Sequence, residues 1–147
     1  MSSAFLDLVA AAKAALLASP PLAGGHVYQG RERPMPQNVA QQIDIHLSNS
    51  TGRPMTLNGA VTRWDTAIGL RLRARAAAGS DGDTAADALL VAVFQRLQAV
   101  PPPAGVPRWA LDPSVRWEVD EADTTLVEAQ LVLRVDHFTG ADLAAAT

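Results

Sequence analysis

The run from Val61 to Ala77 constrains this chain more than any other stretch, because it alternates over a length that only an extended strand accommodates. Trp64, Thr66, Ile68, Leu70, Leu72 and Ala74 share one parity, and Arg63, Asp65, Arg71, Arg73 and Arg75 share the other. This pattern predicts a strand with one buried face and one solvated face. It breaks at Gly79-Ser80-Asp81-Gly82 and gives way to apolar residues at helical spacing, Ala86, Leu89, Leu90, Val93, Phe94 and Leu97, which predict a helix over 83–100.

At 147 residues the chain fits a single domain spanning 1–147. A domain of that size buries roughly 70% of the surface its unfolded form exposes. The absence of cysteine excludes thiol catalysis, cysteine-ligated zinc and a disulfide framework, and is neutral about compartment. A net charge of −3 argues against a general nucleic-acid binder, which relies on clustered Lys and Arg. The apolar run Leu6–Leu17 contains Asp7 and Lys13 and has no basic stretch before it, so it reads as an amphipathic helix and not as a signal peptide. No uninterrupted apolar run approaches the roughly 18–20 residues that cross a bilayer, and a soluble protein with no membrane partner is expected.

Ser2 or Ser3 is placed to cap a first helix ending near Ala18, where Ser19-Pro20-Pro21 stops it. The Gly- and Pro-rich segment 22–40, with one short extended candidate at His26–Gln29, predicts an ordered but irregular excursion of the length that tends to carry function. Ile43, Ile45 and Leu47 alternate with Asp44 and His46 in a short strand, and the turn-forming residues of 49–59 predict a wide hairpin loop leading into the long strand. Pro101-Pro102-Pro103 ends the second helix and opens a surface loop to Pro113. Val115, Trp117 and Val119, then Val127, Ala129, Leu131, Leu133 and Val135, predict a second hairpin. The order α-β-β-α-β-β therefore predicts an α+β domain, with helices on one face of an antiparallel sheet of about four strands. At about 3.4 Å per residue the longest strand reaches roughly 40–50 Å, so its end is expected to project as an assembly surface.

No constellation of catalytic residues emerges. His26, His46 and His137 fall in three separate elements without a partner at metal-ligand spacing, and each reads first as an ordinary surface or sheet residue. Asp81-Gly82-Asp83 lacks the later ligands of a calcium loop and reads as a helix cap. Gly24-Gly25 has no phosphate-loop lysine, and the serines form no nucleophile elbow. The expectation is a protein without catalytic residues, metal or cofactor.

Interaction surfaces are the better candidates. Arg71, Arg73 and Arg75 lie along one strand face, where two readings stand side by side. They form cross-strand ion pairs with Glu118, Glu128 and Asp136 of the same sheet, or they meet carboxylates of a neighbouring copy. Trp64 and Trp117 read as core residues by parity. Trp109, beside prolines and an arginine, either anchors an interface or folds over the core, and Tyr28 shares that ambiguity. With Arg53 in the hairpin loop, these residues make up the candidate subunit or tube interface.

The chain resembles the tail-terminator proteins of long-tailed bacteriophages, also called tail completion or minor tail U-like proteins. The likeness rests on the N-terminal helix, the loop around Val27-Tyr28, the strand Ile43–Leu47, the segment Trp64-Asp65-Thr66 leading into Ile68-Gly69-Leu70-Arg71-Leu72-Arg73, the helix Ala85-Ala86-Asp87-Ala88-Leu89-Leu90, and the final strand Thr125–Phe138. It covers most of the chain in order. The resemblance implies a small α+β subunit that forms a homohexameric ring on the head-proximal end of the tail tube, within the virion at the head–tail junction. Such a ring stops tube polymerisation and presents the surface on which the DNA-filled head docks. Its implied partners are further copies of itself, the tail tube protein and a head–tail connector, with DNA passing through without specific binding. The family carries no motif that assigns single contact residues. Competing expectations are another head–tail joining protein, such as a head-closure or tube subunit, and a small α+β ligand-binding or enzymatic domain.

Overall fold

The computed structural model describes residues 2–30 and 33–146, so positions 31 and 32 of the irregular segment lie outside the described residues. Nine regular elements follow in order. Helix α1 spans Ala4–Leu17, a 3-10 turn spans Leu22–Gly25, and strand β1 spans Val27–Gln29. Strands β2 (Gln41–Pro54) and β3 (Val61–Arg75) precede helix α2 (Gly82–Ala99). Strands β4 (Arg108–Leu111), β5 (Arg116–Val119) and β6 (Leu126–Gly140) complete the chain. The expected α+β class holds, with both helices against one face of the sheet.

Three long antiparallel strands make the sheet's centre, in the order β1-β2-β3-β6-β4. The β3–β6 ladder runs unbroken from Val61↔Gly140 to Arg75↔Leu126. Ile43, Ile45, Ile68, Leu70, Leu72, Ala129, Leu131 and Leu133 point from this centre toward the helices and are buried. Leu8, Val9, Ala12 and Leu16 of α1 and Ala86, Leu89, Val93 and Leu97 of α2 close the core from above, the spacing of three and four that one helix face requires.

Four expectations need correction. The sheet is mixed and six-stranded, because β1 pairs parallel to β2 (Val27↔Ile43). The hairpin loop expected at 49–59 is mostly strand. A bulge between Leu47 and Asn49 resets the register, so polar residues up to Pro54 continue the ladder with β3, and the turn shrinks to 55–60. The loop carrying Trp109 contains a strand: β6 is longer than β5 can cover, and β4 pairs its remaining edge at 133–136. Together β4 and β5 form one edge strand interrupted at 112–115. Finally, Trp117 is not core. It lies opposite Ala129 on the outermost strand and stays 46% exposed, with Val119 at 54%.

Capping follows local chemistry. The Asp81 carboxylate accepts from the backbone N–H of Thr84 at 2.7 Å and from its hydroxyl at 3.0 Å, as expected for the start of α2. These bonds hold the Asp81 carboxyl below its usual range. Ser3 occupies the N-cap position of α1 without a side-chain cap, and Ser2 bonds Asp7 instead, at 2.5 Å.

Candidate functional site

The polar face of the sheet is where the arginine stripe lies, and it is more enclosed than its alternation predicts. Gln42, Asp44, Arg73 and Glu128 are all buried there. The cause is the segment 33–40, which folds across this face and is held by arginine N–H donors. Arg73 donates to the carbonyl of Arg33 and, at 2.6 Å, to Asp44. Gln42 donates to the same two acceptors, at 3.3 and 3.2 Å. Arg75 donates to the carbonyls of Pro36, Gln37 and Val39 at 3.1, 3.1 and 2.8 Å, and to Asp123 at 3.3 Å. Hydrogen bonds from the Thr125 hydroxyl and N–H, with help from Arg75, keep the Asp123 carboxyl below its ordinary range.

Arg71 pairs with Glu128, which also accepts from Gln130. Glu118 lies directly across from Glu128 and ion-pairs with Arg116 at 3.1 Å. Arg71, Arg73, Glu118 and Glu128 thus line one shallow depression of about 140 Å³. The structure brings these four candidates together and leaves Tyr28, Arg53 and Trp109 apart from them. The Tyr28 ring lies under the Arg33 guanidinium at 4.3 Å, and its hydroxyl bonds His26 Nδ1 at 3.0 Å. Arg53 sits near the end of β2 opposite Arg63, whose charge is met by Asp136 at 3.0 Å.

A second polar cluster lies under the helix face and was not singled out by the sequence. His137 Nε2 and the Thr66 hydroxyl are 2.7 Å apart, and Thr66 is 2.9 Å from the Ser50 hydroxyl. The Trp64 indole donates to Thr139 at 2.8 Å, and Phe5 of α1 meets both the Trp64 and His137 rings edge-on. Burial pushes the His137 pKa down, with the Asp136 charge acting weakly in the opposite direction. Thr66 and His137 both lie on the core-facing parity of their strands, as diagonal neighbours in the register Thr66↔Val135 and Trp64↔His137, so the signal was a polar residue on an otherwise apolar stripe.

The apolar surface has two prominent features. The β2–β3 turn extends beyond the last ladder pairs and exposes Met55 and Leu57, Leu57 at 112% of its reference exposure. Between the end of α2 and β4 an open cavity of about 440 Å³ is lined by Phe94, Leu97, Pro102, Trp109, Leu111 and Leu133. Among the described residues no group of three His, Asp or Glu side chains is placed to hold a metal ion. Among the described residues no helix is long and apolar enough to cross a membrane.

This architecture is similar to that of a chain from the virion of a native gene transfer agent (GTA) particle, with a TM-score of 0.59 at 21% identity. The two chains share a fold. The likeness covers 92% of this chain and 98% of that one, so it leaves little of either chain over. No protein-family profile and no curated protein matches the sequence.

Proposed function

We propose that this chain is a structural subunit of a phage-like particle and acts as its tail terminator, forming a ring on the head-proximal end of the tail tube. The observation that carries this reading is the end-to-end fold likeness to a chain of a gene transfer agent virion. It is joined by the ordered resemblance of the sequence to tail terminators. The ring works by binding alone. A closed head-to-tail ring presents two different faces, one complementary to the last tube ring and one to the head connector, so a stack that would otherwise continue ends there.

The surfaces suit that role. Three strands of 14, 15 and 15 residues carry a projecting turn well away from the core. A net charge of −3 suits a bore that passes DNA without holding it. Tube or neighbour contacts are assigned to the depression formed by Arg71, Arg73, Glu118 and Glu128, to Arg53 and the turn beyond it, and to the surfaces around Tyr28 and Trp109. The deciding experiment is tail length by negative-stain electron microscopy with and without this chain. Overlong, headless tails in its absence are expected. Normal tails beside heads that leak DNA would assign it to head closure instead, and unchanged particles would overturn a virion role.

A further inference from the structure

The geometry points to a knob-and-socket contact between neighbouring copies, in which the β2–β3 turn of one copy enters the cavity between α2 and β4 of the next. This contact rests on the ring reading and deepens it by naming the two surfaces that meet.

The knob is exposed yet ordered. The Thr56 hydroxyl accepts from the backbone N–H groups of Ala60 and Val61 at 2.9 and 3.3 Å, the Asn58 side chain accepts from Ala60 at 3.2 Å, and Gly59 N–H donates to the Thr56 carbonyl at 3.1 Å. Gly59 takes the left-handed φ of 68° that the turn needs. A turn fixed this way holds Leu57 and Met55 outward before any partner arrives, which removes much of the ordering cost of binding. Nothing in the fold requires two large apolar side chains at that tip.

The socket answers in shape and polarity. Its wall is built from Phe94, Leu97, Trp109, Leu111 and Leu133, and its volume of about 440 Å³ admits a leucine together with a neighbouring methionine. The buried indole N–H of Trp109 has no acceptor among the described residues, a standing cost in the wall of the cavity. The rim carries the C-terminal turn of α2, which runs into Pro101-Pro102-Pro103. Prolines have no N–H to give the last helical carbonyls, so this rim offers open acceptors, while the Arg96 guanidinium of the same turn is directed to the end of α1. Arg53, at the base of the knob, makes no ion pair among the described residues and brings the complementary charge.

The occupant is a second copy because one chain carries both halves in different places. In the sheet, β2 is separated from β4 by β3 and β6, and the turn lies beyond the strand ends. A contact between two different patches is head-to-tail, the kind that closes into a ring.

The chain has no cysteine, so introduced thiols report unambiguously. Leu57→Cys and Pro102→Cys are made singly and mixed, both as free protein at high concentration and on capped tail tubes, then treated with a short bifunctional thiol reagent. The expected product is a mixed covalent dimer, and a chain carrying both substitutions should give a ladder ending at the ring size. Adding Met55→Asp to the chain that carries both cysteines should abolish the ladder. Self-linking of Leu57→Cys alone, its linking to the tube protein in place of Pro102→Cys, or no mixed product in either preparation would overturn the contact. Tube length separates the two claims. A Leu57→Asp chain that still caps tubes removes the contact and keeps the terminator reading, whereas mixed dimers from a chain that leaves tube length unchanged keep the contact and remove the terminator.

Discussion

The guanidinium of Arg73 and the carboxylate of Asp44 meet at 2.6 Å on the polar face of the sheet, and both are buried, Asp44 completely. Neither charge has water to fall back on, so removing one leaves the other uncompensated. Asp44→Ala should cost about 3–5 kcal/mol, measured by urea denaturation. Replacing both by apolar residues of similar volume should recover much of that loss. Arg73→Glu places two carboxylates together and is expected to unfold the chain, and Arg71→Glu would do the same against Glu128, so Arg71→Gln, which removes the charge at a 31% exposed side chain and keeps a donor for Glu128, is the informative interface variant.

Gly52, Gly69 and Gly82 are fixed by what a side chain would meet, which at Gly69 is the His46 ring. A Cβ on Gly52 would stand 2.7 Å from the Trp64 ring, which covers the glycine from the facing strand. One on Gly82 would stand 2.5 Å from Val127 and 2.9 Å from the Thr125 carbonyl, where α2 begins against β6. Gly52→Ala should cost about 1–3 kcal/mol and shift tryptophan emission as the ring moves. Gly82→Ala should cost as much or more despite alanine's better helix propensity, because the obstructing oxygen belongs to the backbone. Thermal unfolding of each variant decides both.

The alternation of 61–77 and of 127–135, and the helical spacing of 86–97, made the α+β class and the three central elements legible, since each pattern reports burial directly. The strand after Leu47 was not legible. Its bulge breaks the alternation, and Asn49, Ser50 and Gly52 read as turn formers although Ser50 bonds Thr66 and Gly52 receives the Trp64 ring. Strand β4 was hidden by the prolines on either side of it. Trp117 misled because parity reports which way a residue points and not whether a helix covers it. The arginine stripe was visible as a stripe, whereas its work in fastening 33–40 depends on backbone carbonyls that leave no mark in sequence.

The pH response should carry the mark of His137. It is 3% exposed, and burial lowers its pKa below the reference value of 6.5, so the unfolded chain binds its proton more readily than the folded one. This group's contribution to stability is therefore fully present above about pH 6.5 and is lost as pH falls toward the lower folded value. Denaturation midpoints measured between pH 7.5 and 5 should decline more steeply for the native chain than for His137→Gln. Parallel curves would show that His137 titrates alike in both states.

Arg96 joins the two helices through four backbone carbonyls. Its Nη1 donates to Ala15, Leu16 and Ala18 at 3.1, 3.4 and 2.7 Å, and its Nη2 donates to Pro20 at 2.6 Å. Those of Ala15, Leu16 and Ala18 are carbonyls that the end of α1 leaves without N–H partners, and Ser19-Pro20-Pro21 supplies few donors to replace them. One cation from α2 thus caps α1 and also opposes the negative end of its dipole. Arg96→Ala should cost about 1.5–3 kcal/mol, the range for hydrogen bonds made by a charged group. Arg96→Lys should recover only part of this, because a single ammonium cannot divide itself between two directions as the guanidinium fork does. Hydrogen exchange locates the effect: amides of 12–18 should lose protection in Arg96→Ala while those of the β3–β6 ladder keep theirs. Equal loss in both places would mean that the arginine supports the whole core and not the end of one helix.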